Sequence, residues 1–346
     1  MNSLHIAIPS LEKEVPKEDK LSTPQPPDTS TSDPSPMVTN SEIIPTTPTI
    51  NLKQQQFTNR SAPLIAKVRQ NVSKAYQDKP DVFDVNDIRR VEADDWFVKK
   101  FLLVCDRNPK SASAMLIDTL KWRKCQGIYE TKLTDFPSDL YRLGSFFIYQ
   151  TDKLGHPIIY VRPKHFRRHK LLRPELVKFG ISVGTRLEAQ TPNGIVSVID
   201  FRGMSISNVD LEIMRIIIST IMNHFPLFIQ KIYVVNLPSF LKMISTMLIN
   251  IIPSRSRSNI TFISQNELIK YIDEDKIPDF LGGKCTVPYK GDLVVPPGCP
   301  TFLEYALKIG WTLDQYSDVY HMVKSSFEDE HVDSPPCPPS TPPSTK

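Results

Sequence analysis

The sequence predicts an α/β fold built on a mixed, largely parallel five-stranded sheet with helices packed against it. Two observations carry that expectation. Short apolar bursts without alternation recur along the middle of the chain, as strands covered on both faces require. Longer stretches with helical apolar spacing lie between them, and strand–helix alternation of this kind builds parallel sheets.

The first helical material precedes the sheet. Order is expected from Ala62, with helices at Pro63–Tyr76, Asp84–Val91 and Trp96–Val104. A fourth opens on Pro109, whose missing N–H is harmless in a first turn, and runs to Cys125. Lys99 and Lys100 read as solvated surface. The bursts Phe146–Tyr149 and Ile158–Val161 flank a turn holding Gly155 and Pro157, which predicts a hairpin. Ile195–Ile199, Ile232–Val235 and Ile260–Ile263 supply the other strands. Helices are expected at Glu175–Ala189, Asp210–His224 and Ser239–Ile252, and a C-terminal helical stretch over Thr301–Glu328.

The Ser239–Ile252 helix is the most informative element. Asn236, Leu237 and Pro238 break the preceding strand, and Ser239 is placed to cap. Phe240, Met243, Ile244, Met247, Leu248, Ile251 and Ile252 repeat on one face, yet Leu241 and Ile249 lie off it and only Lys242 is charged. A helix this apolar hides a surface or covers one.

Composition narrows the function classes. Lys plus Arg number 42 against 38 Asp plus Glu, a net charge of +4 that does not demand nucleic acid. The five cysteines are scattered without a Cys-X-X-Cys pair, which predicts reduced thiols in an intracellular compartment. No secretory signal is read at the N-terminus, and Leu211–Ile229, the most apolar run, is interrupted by Glu212, Arg215, Asn223, His224 and Pro226. A soluble, cytoplasmic, peripherally membrane-associated protein is expected. Residues 1–60 and 329–346 are rich in Pro, Ser and Thr and read as disordered tails. Their Ser/Thr-Pro dipeptides at Thr23, Ser35, Thr47, Ser334 and Thr341 are candidate phosphorylation sites.

Catalytic signatures are missing: there is no Gly-X-Ser-X-Gly elbow, Gly-X-Gly-X-X-Gly turn or phosphate-binding Lys-Ser/Thr loop. No enzyme activity, cofactor or metal is therefore expected. His165 and His169 have the spacing of a helical metal pair but sit in a tract with six cations and no carboxylate. That tract (Arg162, Lys164, Arg167, Arg168, Lys170 and Arg173), joined by Arg255 and Arg257, suits an anionic membrane surface.

The segment FPLFIQKIYVVNLPSFLKMI (225–244) resembles the Tyr-Pro…Asn-X-Pro…Phe stretch of CRAL-TRIO, or Sec14-like, lipid-binding domains. Trp122-Arg123, the Asp200–Ser205 segment, and Pro278 through Leu281, Gly282 and Gly283 match other family motifs in order. The likeness covers Val91 to Tyr289 and is nearest to the CRAL-TRIO half of motile sperm domain-containing proteins.

This resemblance implies a helical N-terminal lobe (61–130), a lipid-binding domain (131–290) and a C-terminal helical extension (291–328). It makes the helix after Pro238 a gate over a lipid cavity lined by Ser197, Ile199, Phe225, Ile229, Ile232, Phe240, Met243, Ile244, Met247 and Leu248. Met214 and Met222 would give its walls adaptable shape. The family's phosphatidylinositol mode needs an acid and a lysine where this chain has Leu227 and Asn259, so that headgroup mode is not expected. Asp200 is expected to anchor a turn. The function implied is lipid binding and transfer between membranes. The alternative is a non-catalytic scaffold recruiting partners through its Pro-rich tails.

Overall fold

The computed structural model describes residues 4–6, 52–165, 168–242, 249, 252 and 254–332. Helices α1 (Leu52–Asp78), α2 (Val85–Ala93), α3 (Asp95–Val104) and α4 (Pro109–Cys125) form the N-terminal lobe. Their starts are held by side-chain caps: Asp84 accepts from the Asn86 N–H, Asp94 from Phe97, and Asn108 from Lys110 and Ser111. Val68, Val98, Phe101, Ala112, Leu116 and Leu120 are fully buried in one core. The first helix begins upstream of the expected Pro63, inside the segment read as a disordered tail. Lys53, Gln54, Gln55 and Gln56 are good helix formers, and they carry it through the proline.

The sheet contains β2 (Phe146–Thr151), β3 (Pro157–Val161), β4 (Ile195–Asp200), β5 (Ile229–Val235) and β6 (Ile260–Ile263), with β1 (Leu4–Ile6) alongside β2. All five expected strands are present, and β1 lies within the segment read as a tail. The β2–β3 pair is the antiparallel hairpin, with Gly155 in its turn at φ +85°. From β3 onward every pairing is parallel and strand order follows chain order.

Helix α5 (Asp139–Arg142) precedes the hairpin, α6 (Leu172–Gln190) joins β3 to β4, and α7 (Leu211–His224) joins β4 to β5. Crossovers between successive parallel strands follow a general right-handed rule, which puts α6 and α7 on one face of the sheet. The opposite face carries Phe147, Tyr149, Ile158, Tyr160, Val196, Val198, Tyr233 and Val235, and Leu268, Ile272, Ile277, Leu281 and Tyr289 pack over it.

The C-terminal extension is not continuous. Helices Phe302–Lys308 and Leu313–Val332 are separated at Gly310, whose φ of +84° ends the first with a left-handed residue. The second continues through 329–332, residues read as a disordered tail. Tyr305 donates to Glu175 on α6 and packs against Phe136, which seats the extension on the domain.

Candidate functional site

The two faces of the sheet are closed to very different degrees. Residues alternate across each strand, so Ile199 and Ile232 point away from the aromatic face. Both are only partly buried, although β4 and β5 are interior strands. Helix α7 shows the same deficit. It carries Leu211, Ile213, Met214, Ile216, Ile217, Ile218, Ile221 and Met222, and Ile213 is its one buried residue; Ile217 is 40 % exposed. A helix apolar on nearly every side is normally enclosed. Ile199 and Ile232, on the face away from the aromatic cluster, are likewise incompletely covered.

Sheet-face residues expected to line a cavity fall on this side. Ser197 is buried, Ile199, Ile229 and Ile232 are partly buried, and Ser197 pairs in register with Ile232. Phe225, also expected to line the cavity, is more deeply buried than the isoleucines. It is buried among Trp122, Phe228 and Gly184, where it joins α7 to the N-terminal lobe. Phe240 is 42 % exposed at the start of a 3-10 turn, Ser239–Leu241. Met243, Ile244, Met247 and Leu248, the core of the expected gate, lie outside the described residues. Sequence reasoning passed over Ile216, Ile217, Ile218 and Ile221, although an almost wholly apolar α7 was the available signal.

The corner after β5 is held electrostatically. Asp200, 5 % exposed, accepts from the Arg202 N–H at 3.1 Å and from Asn236 Nδ2 at 2.8 Å. Asn236 takes a left-handed φ of +55°, which its short polar side chain tolerates. The carboxylate therefore ties the ends of β4 and β5 together, in the anchoring role expected of it. Beyond the corner, Leu241 packs with Phe201, Met204 and Val234, and Ile199 and Ile232 border that cluster.

The basic tract is not uniformly a surface. Arg162 is 3 % exposed, with its guanidinium 4.4 Å from the centre of the Phe280 ring, so its assignment to a membrane-facing surface is corrected. Burial of its stem in β3 packing and the ring beneath it account for the difference. Arg173 is ion-paired with Asp210 at 3.0 Å and with Glu212. Arg168 and Lys170 are exposed and Lys164 is partly so, while Arg167 lies outside the described residues. Arg257 is exposed and donates to the Ile252 carbonyl. His165 is buried and His169 partly so, and burial lowers the His169 pKa.

Lys99 and Lys100 are also buried, against expectation. Lys100 pairs with Glu188 on α6, and Arg90 reaches the same carboxylate at 2.8 Å. Burial pushes the Glu188 pKa up, but the Lys100 and Arg90 charges outweigh it and hold the carboxyl below its usual range. Lys100 is lowered by burial, with Glu188 opposing. A second pair, Arg123 Nε on both Asp87 oxygens at 2.8 and 2.9 Å, also accepts Tyr129 as a donor to Asp87. These pairs are joints: they fix α2, α3, α4 and α6 relative to one another.

Among the described residues, no group of three or more His, Cys, Asp or Glu side chains is arranged to hold a metal, and no helix is long and apolar enough to cross a membrane. Residues 141–283 match the family model of the CRAL/TRIO domain. The fold is a CRAL/TRIO-type fold. The crystal structure of Sfh5 superposes with a TM-score of 0.53 at 16 % identity, covering 72 % of this chain and 96 % of that one.

Protein real-time of Drosophila melanogaster is 26 % identical over 237 residues, 61 % of this chain and 36 % of its own length. Patellin-4 of Arabidopsis thaliana is 25 % identical over 240 residues, 62 % of this chain and 43 % of its length. Phosphatidylinositol transfer protein CSR1 of Eremothecium gossypii is 26 % identical over 160 residues, 45 % of this chain and 36 % of its length. The chain thus spans well under half of each of these curated relatives.

Proposed function

We propose that this chain binds a hydrophobic lipid between the α7 side of the sheet and the 239–252 segment, and carries it between membranes. The carrying observation is α7, a helix rich in isoleucine and methionine with one buried residue, set on the face where Ile199 and Ile232 are incompletely covered. Ser197, Ile199, Ile229 and Ile232 form the floor in this reading. Ile217, Ile218 and Ile221 form a wall, and Phe240, Met243, Ile244, Met247 and Leu248 belong to the gate.

The similarity to a protein named for phosphatidylinositol transfer supports a phospholipid-sized guest. Leu227 and Asn259 in place of a charge pair favour a ligand gripped by its chains. Each methylene taken from water contributes about 0.8 kcal/mol. A chain moving from bilayer to apolar hollow keeps most of this, so exchange needs no nucleotide. Arg168, Lys170 and Arg257 would meet an anionic membrane transiently, at a cytoplasmic surface. The kinship nearest to motile sperm domain-containing proteins, and the division into lobe, domain and extension, belong to the same reading.

Native mass spectrometry of the purified full chain tests it: a co-purifying lipid mass is expected. Ile199→Trp should fill the floor, remove that mass and stop exchange between vesicles, with the circular dichroism spectrum unchanged. A lipid-free wild-type protein that also fails to take up lipid from vesicles would favour the scaffold instead.

A further inference from the structure

The basic tract and the loop after β4 are not separate surface features. At one end Asn208 Nδ2 donates to the Lys164 carbonyl at 2.9 Å, and Gly203 lies against the Lys164 side chain. At the other, Arg173 pairs with Asp210 at 3.0 Å. The stretch carrying Arg168 and Lys170 is thus pinned at both ends along loop 203–210.

That loop holds an isoleucine out in water. Ile206 is 74 % exposed. It is the first residue of a 3-10 turn, Ile206–Asn208, in which the Ser205 N–H and Oγ both donate to Asn208 Oδ1 at 2.8 Å and the Asn208 N–H donates back to the Ser205 carbonyl at 3.1 Å. Asn208 itself is 3 % exposed. Below the turn, Phe201, Met204 and Val209 pack with Leu237 and Leu241. Leu241 of this cluster is the neighbour in sequence of Phe240, which is 42 % exposed. A side chain presented by so well-held a turn is not a loose loop residue. It is a fixed apolar tip beside exposed cations.

We infer that the Ile206 turn is a wedge that enters the acyl boundary of an anionic bilayer while Lys164, Arg168 and Lys170 meet its headgroups. Charge complementarity selects this occupant. Asp210 and Glu212, the acids at the loop's end, are already engaged by Arg173, and the buried Asp200 pairs with Arg202 at 3.8 Å. Among the described acids, Asp318 faces His169 within the tract, and the exposed Arg168 and Lys170 flank that position. Apolar insertion and headgroup attraction add in such an interface, so neither component alone gives firm binding. The wedge rests on the lipid-carrier reading for its purpose but not for its chemistry.

Sedimentation of the full chain with vesicles of phosphatidylserine and phosphatidylcholine, against phosphatidylcholine alone, tests it. Wild type is expected to bind the anionic vesicles and to release with salt. Ile206→Asp should weaken that binding by about tenfold, the scale of one buried isoleucine. Ile206→Trp should strengthen it, with the thermal midpoint of both variants unchanged. Lipid content by native mass spectrometry reports separately on the hollow, so loss of vesicle binding with lipid retained supports the wedge. Equal binding by wild type, Ile206→Asp and Ile206→Trp overturns it, as does absence of binding to the anionic vesicles. A wild-type chain without lipid that still binds vesicles through Ile206 would defeat the carrier reading and leave the wedge standing.

Discussion

The aromatic face of the sheet and its α7 face are made from the same strands, yet they are finished differently. On the first, Phe147 stacks on Tyr160 and on Tyr289 with ring centroids 5.4 and 4.7 Å apart, and Phe280 closes the edge of the group. On the second, Ile199 and Ile232 are only partly buried and α7 buries Ile213 alone among its described residues. Close-packed interiors resist change, and incompletely filled ones tolerate it. One face therefore supplies the stability that the other leaves unclaimed.

The largest effect should come from the filled side. Phe147→Ala is expected to destabilise by about 3–5 kcal/mol in urea titration, because the rings around it cannot collapse into the space. A loss under 1 kcal/mol would mean the faces are alike. Next comes the lobe joint, which should behave like the filled face. Glu188→Ala strands Lys100 and Arg90 together, and a loss of about 3 kcal/mol is expected by the same titration.

His224 sharpens the comparison by pH. It is stacked on Trp122 at 4.2 Å, and burial lowers its pKa to about 4. The unfolded chain takes up this proton near pH 6.5 and the folded chain resists it, so its contribution is present above that value and is lost as pH falls towards 4. The thermal midpoint of wild type should drop over that window more than that of His224→Gln. Parallel curves would remove the joint from the argument.

The smallest effects mark the extremes of each face. Ile217→Ala on α7 should cost less than about 1 kcal/mol, since little packing is lost. Tyr160 is fully buried, and its hydroxyl finds no hydrogen-bond partner among the described residues. Tyr160→Phe is therefore expected to be neutral or slightly stabilising by the same titration.

Strands, crossovers and most helix starts were legible because each is local: a β-rich burst, a capping Asp or Asn, a proline in a first turn. Asp200 was legible as an anchor for the same reason. Filling was not. Nothing in the order of residues separates Phe225, which is buried against Trp122, from Ile232, which stays only partly buried, since both are apolar. Charge burial was equally hidden. Arg162, Lys99 and Lys100 read as solvated because their partners, Phe280 and Glu188, are distant in sequence. The break at Gly310 was written in the chain, and a single glycine inside an apolar repeat was passed over.

Helix α6 has a practical consequence for anyone cutting the gene. Its early residue Glu175 is grasped by Tyr305, and its late residue Glu188 by Arg90 and Lys100. The stretch recognisable as a CRAL/TRIO domain, 141–283, contains both acids and none of those partners. Excised at those limits it would keep the helix and discard the hands that hold it, so a usable fragment has to reach from α2 to beyond Tyr305.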